Sequence, residues 1–252
     1  PIQRAHLHGE IAQALEALGA SPTGAPDPLN SFEMLADNSS DLFTSPRAVA
    51  SEATLAWHWE ESGLTEKAIL WHCHAARKAI WLAFVHAEEL RHTRKILDLA
   101  GTLPEGPRRT RWENLGHLFL GLVLVGEGGW AAPGVQEALH KSLQRAEQLG
   151  DRLALSAVLT TLAQCMRMRA SLDEALSYIQ RAVGLEDAVP PGWLVQMHGE
   201  LALIRLYRGE FAPSVELLWP LFDDVRSGRA HHTWVTIDHL NQAEHLAWAL
   251  WC

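Results

Sequence analysis

Leu55-Ala56-Trp57-His58-Trp59-Glu60-Glu61-Ser62-Gly63-Leu64-Thr65-Glu66-Lys67-Ala68-Ile69-Leu70-Trp71-His72-Cys73-His74-Ala75 is the stretch that decides the fold. Its skeleton is Leu55, Ala56, Trp59, Gly63, Ala68 and Ala75. The same offsets return as Leu162, Ala163, Met166, Ala170, Ala175 and Ala182. Leu201, Ala202, Gly209 and Leu221 fill most of them again. Small residues at these offsets let two antiparallel helices approach closely, and the Gly or Ala between them permits a tight turn. One such pair cannot bury its apolar face alone, so it stacks on neighbours. The spacing therefore predicts an all-α chain, an α-α superhelix of antiparallel helix pairs.

The repeat is followed by its Leu-small pair and the turn residue after it. Leu55-Ala56 leads to Gly63, Leu120-Gly121 to Gly128, Leu162-Ala163 to Ala170 and Leu201-Ala202 to Gly209. A Leu-Ala dipeptide alone means little; the constant distance to the turn residue gives it weight. Leu246-Ala247 opens a further unit whose turn would fall past Cys252. The solenoid is thus expected over 48–252, truncated in its last repeat.

Working outward, Leu7, Ile11, Leu15 and Leu18 recur at helical spacing, which predicts a helix over 2–18. Residues 1–20 read as a helix linking to an upstream domain. Pro22, Pro26 and Pro28 then open a loop over 21–47, with one short helical turn around Phe32 to Ala36. Beyond it the pattern predicts helices at 48–62, 65–83, 86–100, 108–126, 134–149, 151–169, 172–184, 192–208, 211–226 and 232–252. Alternating apolar–polar runs of useful length do not occur, and helix formers dominate.

With 48% hydrophobic and 20% charged residues, the chain can fill a packed interior. Its formal charge of −9 repels phosphate backbones, which argues against nucleic acid as a partner. Cys73, Cys165 and Cys252 are odd in number and far apart, as suits a reducing compartment. The longest apolar run, Leu118 to Val125, is too short to span a bilayer. No basic leader followed by an apolar stretch opens the chain. Pro1 and the closing Trp248-Ala249-Leu250-Trp251-Cys252 read as the ends of a piece of a longer cytoplasmic protein, with no membrane partner.

These offsets resemble the tetratricopeptide repeat, with irregular spacing between units. The order of segments also resembles the repeat region of bacterial AAA/STAND-type signalling ATPases. In those proteins a nucleotide-cyclase or DNA-binding domain, or neither, precedes the ATPase core. The likeness rests on Leu7-His8-Gly9-Glu10-Ile11-Ala12-Gln13-Ala14-Leu15-Glu16-Ala17-Leu18, Leu55 to Trp59, Gly63 to Ile69 and Leu103-Pro104. It continues through Gly129-Trp130-Ala131-Ala132-Pro133-Gly134-Val135, Gln148-Leu149-Gly150-Asp151 and Ala247 to Trp251. The resemblance implies a position just downstream of an ATPase core. The chain itself has no Gly-x-x-x-x-Gly-Lys-Ser/Thr, and Gly126-Glu127-Gly128-Gly129 carries a carboxylate that would repel phosphate.

Fourteen histidines raise the question of a metal. His72 and His74 lie about 200° apart on a helix and cannot face one ion. His231-His232 is the next cluster; neither His-Glu-x-x-His nor Cys-x-x-Cys occurs. His58 and His72 are expected to approach across the helix pair, yet two ligands make a poor zinc site. Cys73 and Cys165 read as small buried hydrophobes. Glu60-Glu61, Glu88-Glu89 and Asp223-Asp224 read as solvated faces rather than acid–base pairs. No catalytic, cofactor-binding or metal residue is assigned.

Trp57 and Trp59 are also about 200° apart, so one faces inward and the other outward. Trp59 holds the packing position, which leaves Trp57 as the candidate partner-binding residue. The expectation is a noncatalytic scaffold that binds a protein or peptide, its own upstream ATPase core included. The alternative is a sensor holding a small molecule on its concave face. Ala247, Trp248, Leu250 and Trp251, left uncapped, are expected to make the fragment self-associate through its C-terminal helix.

Overall fold

The computed structural model describes residues 2–17, 47–82, 86–227 and 245–251. Of the expected loop at 21–47, only Arg47 is described, and it opens a helix; the rest, its turn around Phe32, and residues 232–244 with Trp234 lie outside the described residues. In chain order the helices are α1 (Ile2–Leu15), α2 (Arg47–Ser62), α3 (Thr65–Leu82), α4 (His86–Thr102) and α5 (Pro107–Gly128). They continue as α6 (Val135–Leu149), α7 (Arg152–Met168), α8 (Leu172–Val183), α9 (Pro191–Tyr207) and α10 (Phe211–Arg226). A 3-10 turn occupies Glu186–Ala188, and residues 245–251 are helical again. Among the described residues every regular element is helical.

The described residues form two compact units, one ending at Leu149 and one beginning at Gly150. In the first, α1 packs on α2, and each later helix packs on the one before it as far as α6. In the second, α7, α8, α9 and α10 pack in the same consecutive order. Helices two apart also touch, α3 with α5 in the first unit and α7 with α9 in the second. Stacked helix pairs give this pattern, because each helix meets its own partner and the next pair.

The turns explain why the chain reverses where it does. At the end of α7, Ala170 takes a left-handed φ of 61°. The Ser171 N–H donates to the Met166 carbonyl and the Ala170 N–H to the Arg167 carbonyl, both at 2.9 Å. At the end of α9, Gly209 has φ 79°, with Glu210 bonded to Arg205 and Gly209 to Leu206, again at 2.9 Å. Both are two-bond Schellman closures that satisfy carbonyls the helix end would leave open. Gly63, with φ 78°, reverses the chain between α2 and α3. The fourth turn differs from expectation. Gly128 is the last residue of α5, and Gly129 takes the left-handed conformation at φ 76°. A longer link follows, with the Ala132 N–H bonded to the Gly129 carbonyl, so α5 runs on through Gly126 to Gly128.

Close approach follows from the small residues. Ala56, Ala68, Ala75, Ala163, Ala175, Ala182 and Ala202 are all buried, as are Leu55, Leu162 and Leu201, while Leu120 is half-buried. A Cβ at Gly121 would stand 2.7 Å from Leu139 Cδ2, and one at Gly116 equally close to Leu97 Cδ2. Neither glycine leaves room for a methyl, so α5 can lie near both α4 and α6.

Ala170 is the one non-glycine in the left-handed region among the described residues. An L-residue there carries a steric cost of roughly 1–2 kcal/mol, set against about 0.4–1 kcal/mol of unfolded-state entropy that a glycine adds. Ala170→Gly is expected to raise stability by up to about 1 kcal/mol. Urea denaturation reads this directly, and a lowered midpoint would contradict the turn described here.

Candidate functional site

The first unit gathers its polar chemistry where α1, α2, α3 and α4 meet. Glu16 follows the last regular residue of α1 in a widened turn. Its Oε1 accepts from Trp59 Nε1 and from Trp71 Nε1, both at 2.8 Å. Both indoles are buried, so each N–H needs an acceptor that the apolar surroundings cannot supply. Lys67 completes the clamp, with Nζ 3.5 Å from Glu16 Oε2 and 3.9 Å above the Trp59 ring. Arg4 adds a bond to Glu61 at 2.8 Å on the exposed side. A mostly apolar floor of Leu55, Ala56 and Ala68 takes Ala12 from α1.

Trp57 lies on the opposite side of α2 from Trp59 and is 47% exposed, whereas Trp59 is fully buried. Its ring stands edge-on to His8 of α1 at 4.9 Å and to His58 at 4.7 Å. His8 Nδ1 and His58 Nδ1 are 2.9 Å apart, a hydrogen bond in which one ring must donate and the other accept. Trp57 is therefore an exposed aromatic face whose orientation two imidazoles already hold.

A second imidazole pair lies deeper. His72 of α3 and His92 of α4 are buried, with their Nδ1 atoms 2.8 Å apart. His72 Nε2 is 3.5 Å from Glu60 Oε2, and Glu60 Oε1 takes the Lys95 ammonium at 2.5 Å. On the other side, Arg91 stands 3.3 Å from His92 Nε2 and binds Glu88 at 2.7 Å. Burial pushes both imidazoles down to about 4, and Glu60 opposes that for His72. Burial would raise the Glu60 carboxyl, but Lys95 and His72 together hold it below its usual range.

The expected meeting of His58 and His72 does not occur. His58 sits on the face of α2 turned to α1, and His72 on the face of α3 turned to α4. Each finds a different imidazole. Glu60, read from sequence as solvated, is partly buried beside His72, and Glu89 is buried; Glu88 is exposed as expected and lies near His92. Glu16 and His92 carried no sequence signal for their roles, since the bonds they make span 43 and 20 positions. Among the described residues no three His, Cys, Asp or Glu side chains gather as a metal site requires. Burial pushes the Cys73 and Cys165 thiols up, away from the reactive thiolate.

In the second unit the polar contacts link neighbouring helices. Arg167 of α7 binds Glu200 of α9 through two bonds of 2.6 and 3.0 Å, with Glu200 buried and Arg167 partly so. Arg152 grips Asp187 in the same forked way. Over 245–251, Leu246 packs with Ala202 and Leu218, and Ala249 with Leu203 and Leu206. Trp248, Leu250 and Trp251 stand exposed. No helix among the described residues is long and apolar enough to cross a membrane. Compared with known proteins, the chain matches no family model and no curated sequence.

Removing the Glu16 acceptor strands two buried indole N–H groups, each costing about 1–3 kcal/mol. Glu16→Ala is expected to destabilise the first unit by roughly 2–6 kcal/mol. Glu16→Gln keeps a carbonyl acceptor and should lose less than half of that. Chemical denaturation followed by tryptophan emission gives both numbers; equal losses for the two variants would contradict the clamp.

Proposed function

We propose that the chain is a noncatalytic interaction scaffold, a tetratricopeptide-repeat-like superhelix that holds a protein or peptide within a larger signalling ATPase or cyclase-like regulator. Consecutive helix packing and the recurring left-handed turns support the superhelix. The half-exposed Trp57, fixed edge-on by His8 and His58, carries the binding reading. A rigid aromatic presented to solvent loses little freedom when a partner covers it, which is what makes such residues hot spots. The raised thiol pKa values of Cys73 and Cys165 favour a structural over a nucleophilic role for both. The partner the resemblance suggests first is the protein's own upstream ATPase core, whose resting and active states the scaffold would bias.

A photo-crosslinking residue placed at Trp57 in the full-length protein in its own cells tests this reading. Capture of one protein, or of the ATPase core in cis, is expected there and not at Gln144, an exposed position on α6. With the crosslinking residue moved to Thr54, an exposed position one turn earlier on α2, Trp57→Ala should weaken capture at least about tenfold, the range of a hot-spot truncation, with little change in stability. Equal crosslinking at both positions, or none at Trp57, would overturn it.

A further inference from the structure

We infer that His72 and His92 form an acid-operated latch between α3 and α4, closed while the pair holds a single proton between its facing nitrogens and opened when both rings become cationic. The partners assign the closed state. His72 Nε2 faces the Glu60 carboxylate at 3.5 Å, so it carries a proton. His92 Nε2 faces the Arg91 guanidinium at 3.3 Å, so it accepts. His92 Nδ1–H must then donate to His72 Nδ1 across 2.8 Å. The donors run in one direction, Arg91 to His92 and His92 to His72, while His72 Nε2 stands in ion-pair range of Glu60 without a hydrogen bond and Lys95 donates to the same carboxylate.

Proton uptake has two stages in this geometry. A first proton can be held: His72 becomes the donor, His92 moves its own proton to Nε2, and the exposed Arg91, still paired with Glu88, withdraws so that Nε2–H faces Glu88 Oε2, 3.8 Å away. Glu60 and Glu88 then face the two outer N–H groups. A second proton puts two N–H groups nose to nose at 2.8 Å, where neither can accept. Both rings are buried, so water cannot relieve the conflict unless the helices part. The charged groups that face the pair are Glu60 from α2 and Glu88, Arg91 and Lys95 from α4. No ionic group of α5, packed against both helices, is among the charges that act most on either ring. His74 turns to Trp71 instead, at 5.3 Å.

The sign follows from linkage. Released rings take up protons below about 6.5, but the closed pair does so only near 4. Protons therefore favour the open state as pH falls between those values, and the effect levels off below about 4. Hydrogen exchange of the whole chain, corrected for intrinsic rates, reads the result helix by helix. Between pH 7 and pH 5, amides of α3 and α4 are expected to lose protection by at least about tenfold, while α5 and α6 change little. His92→Asn keeps an amide donor for His72 Nδ1 but cannot become cationic, and it should flatten the response. Nitrogen NMR of the unaltered chain adds a readout that does not depend on the variant. At pH 7 His72 should be protonated at Nε2 and His92 at Nδ1. Uniform loss of protection through α6, the opposite tautomers, or rings that titrate independently near 6.5 would overturn the latch.

Discussion

Every helix in this chain depends on a neighbour, because none can bury its apolar stripe alone, and the neighbour must come close. Close approach is a matter of single methyl groups. Ala56, Ala163 and Ala202 sit at buried contacts, and at Gly116 and Gly121 even a methyl would collide with a leucine. The second requirement is a reversal tight enough to bring the next helix back onto that surface. Left-handed residues at Gly63, Ala170 and Gly209 supply it, and at Ala170 the need outweighs a steric cost. Packing density then does the rest: buried leucines and tryptophans fill the space that the small residues open.

Apolar packing does not specify how successive pairs are oriented, and buried polar groups carry that information. In the first unit, Glu16 serves two indoles from two helices at once. The two imidazole pairs link α1 to α2 and α3 to α4. In the second unit the forked Arg167–Glu200 pair joins helices that begin consecutive pairs. Each of these groups would be costly to leave unmatched, so each selects one arrangement over its neighbours. The same arrangement leaves Trp57 outward and held in place by His8 and His58.

Most helix boundaries were legible in the sequence, because Gly, Pro and the Leu-small pairs report local geometry within a few residues. Trp59 inward and Trp57 outward followed from helical angle together with the repeat's packing position at Trp59. The turn after α5 was misplaced by one residue, since Gly126, Gly128 and Gly129 all satisfy the same local rule and only the longer link chooses among them. The polar partners were not legible. Helical spacing says which face a histidine occupies, but not which residue 20 or 50 positions away meets it. His58 and His72 were expected to meet for that reason, and each instead faces another helix.

If helix pairs are the units of this fold, their stabilities are separable, as nearest-neighbour coupling implies. Native-state hydrogen exchange across low concentrations of denaturant measures this most directly. The α7–α8 pair and the α9–α10 pair should each exchange as a block, with distinct free energies and distinct denaturant dependence. A single free energy shared by all four helices would show one indivisible core, and would contradict an architecture built pair by pair.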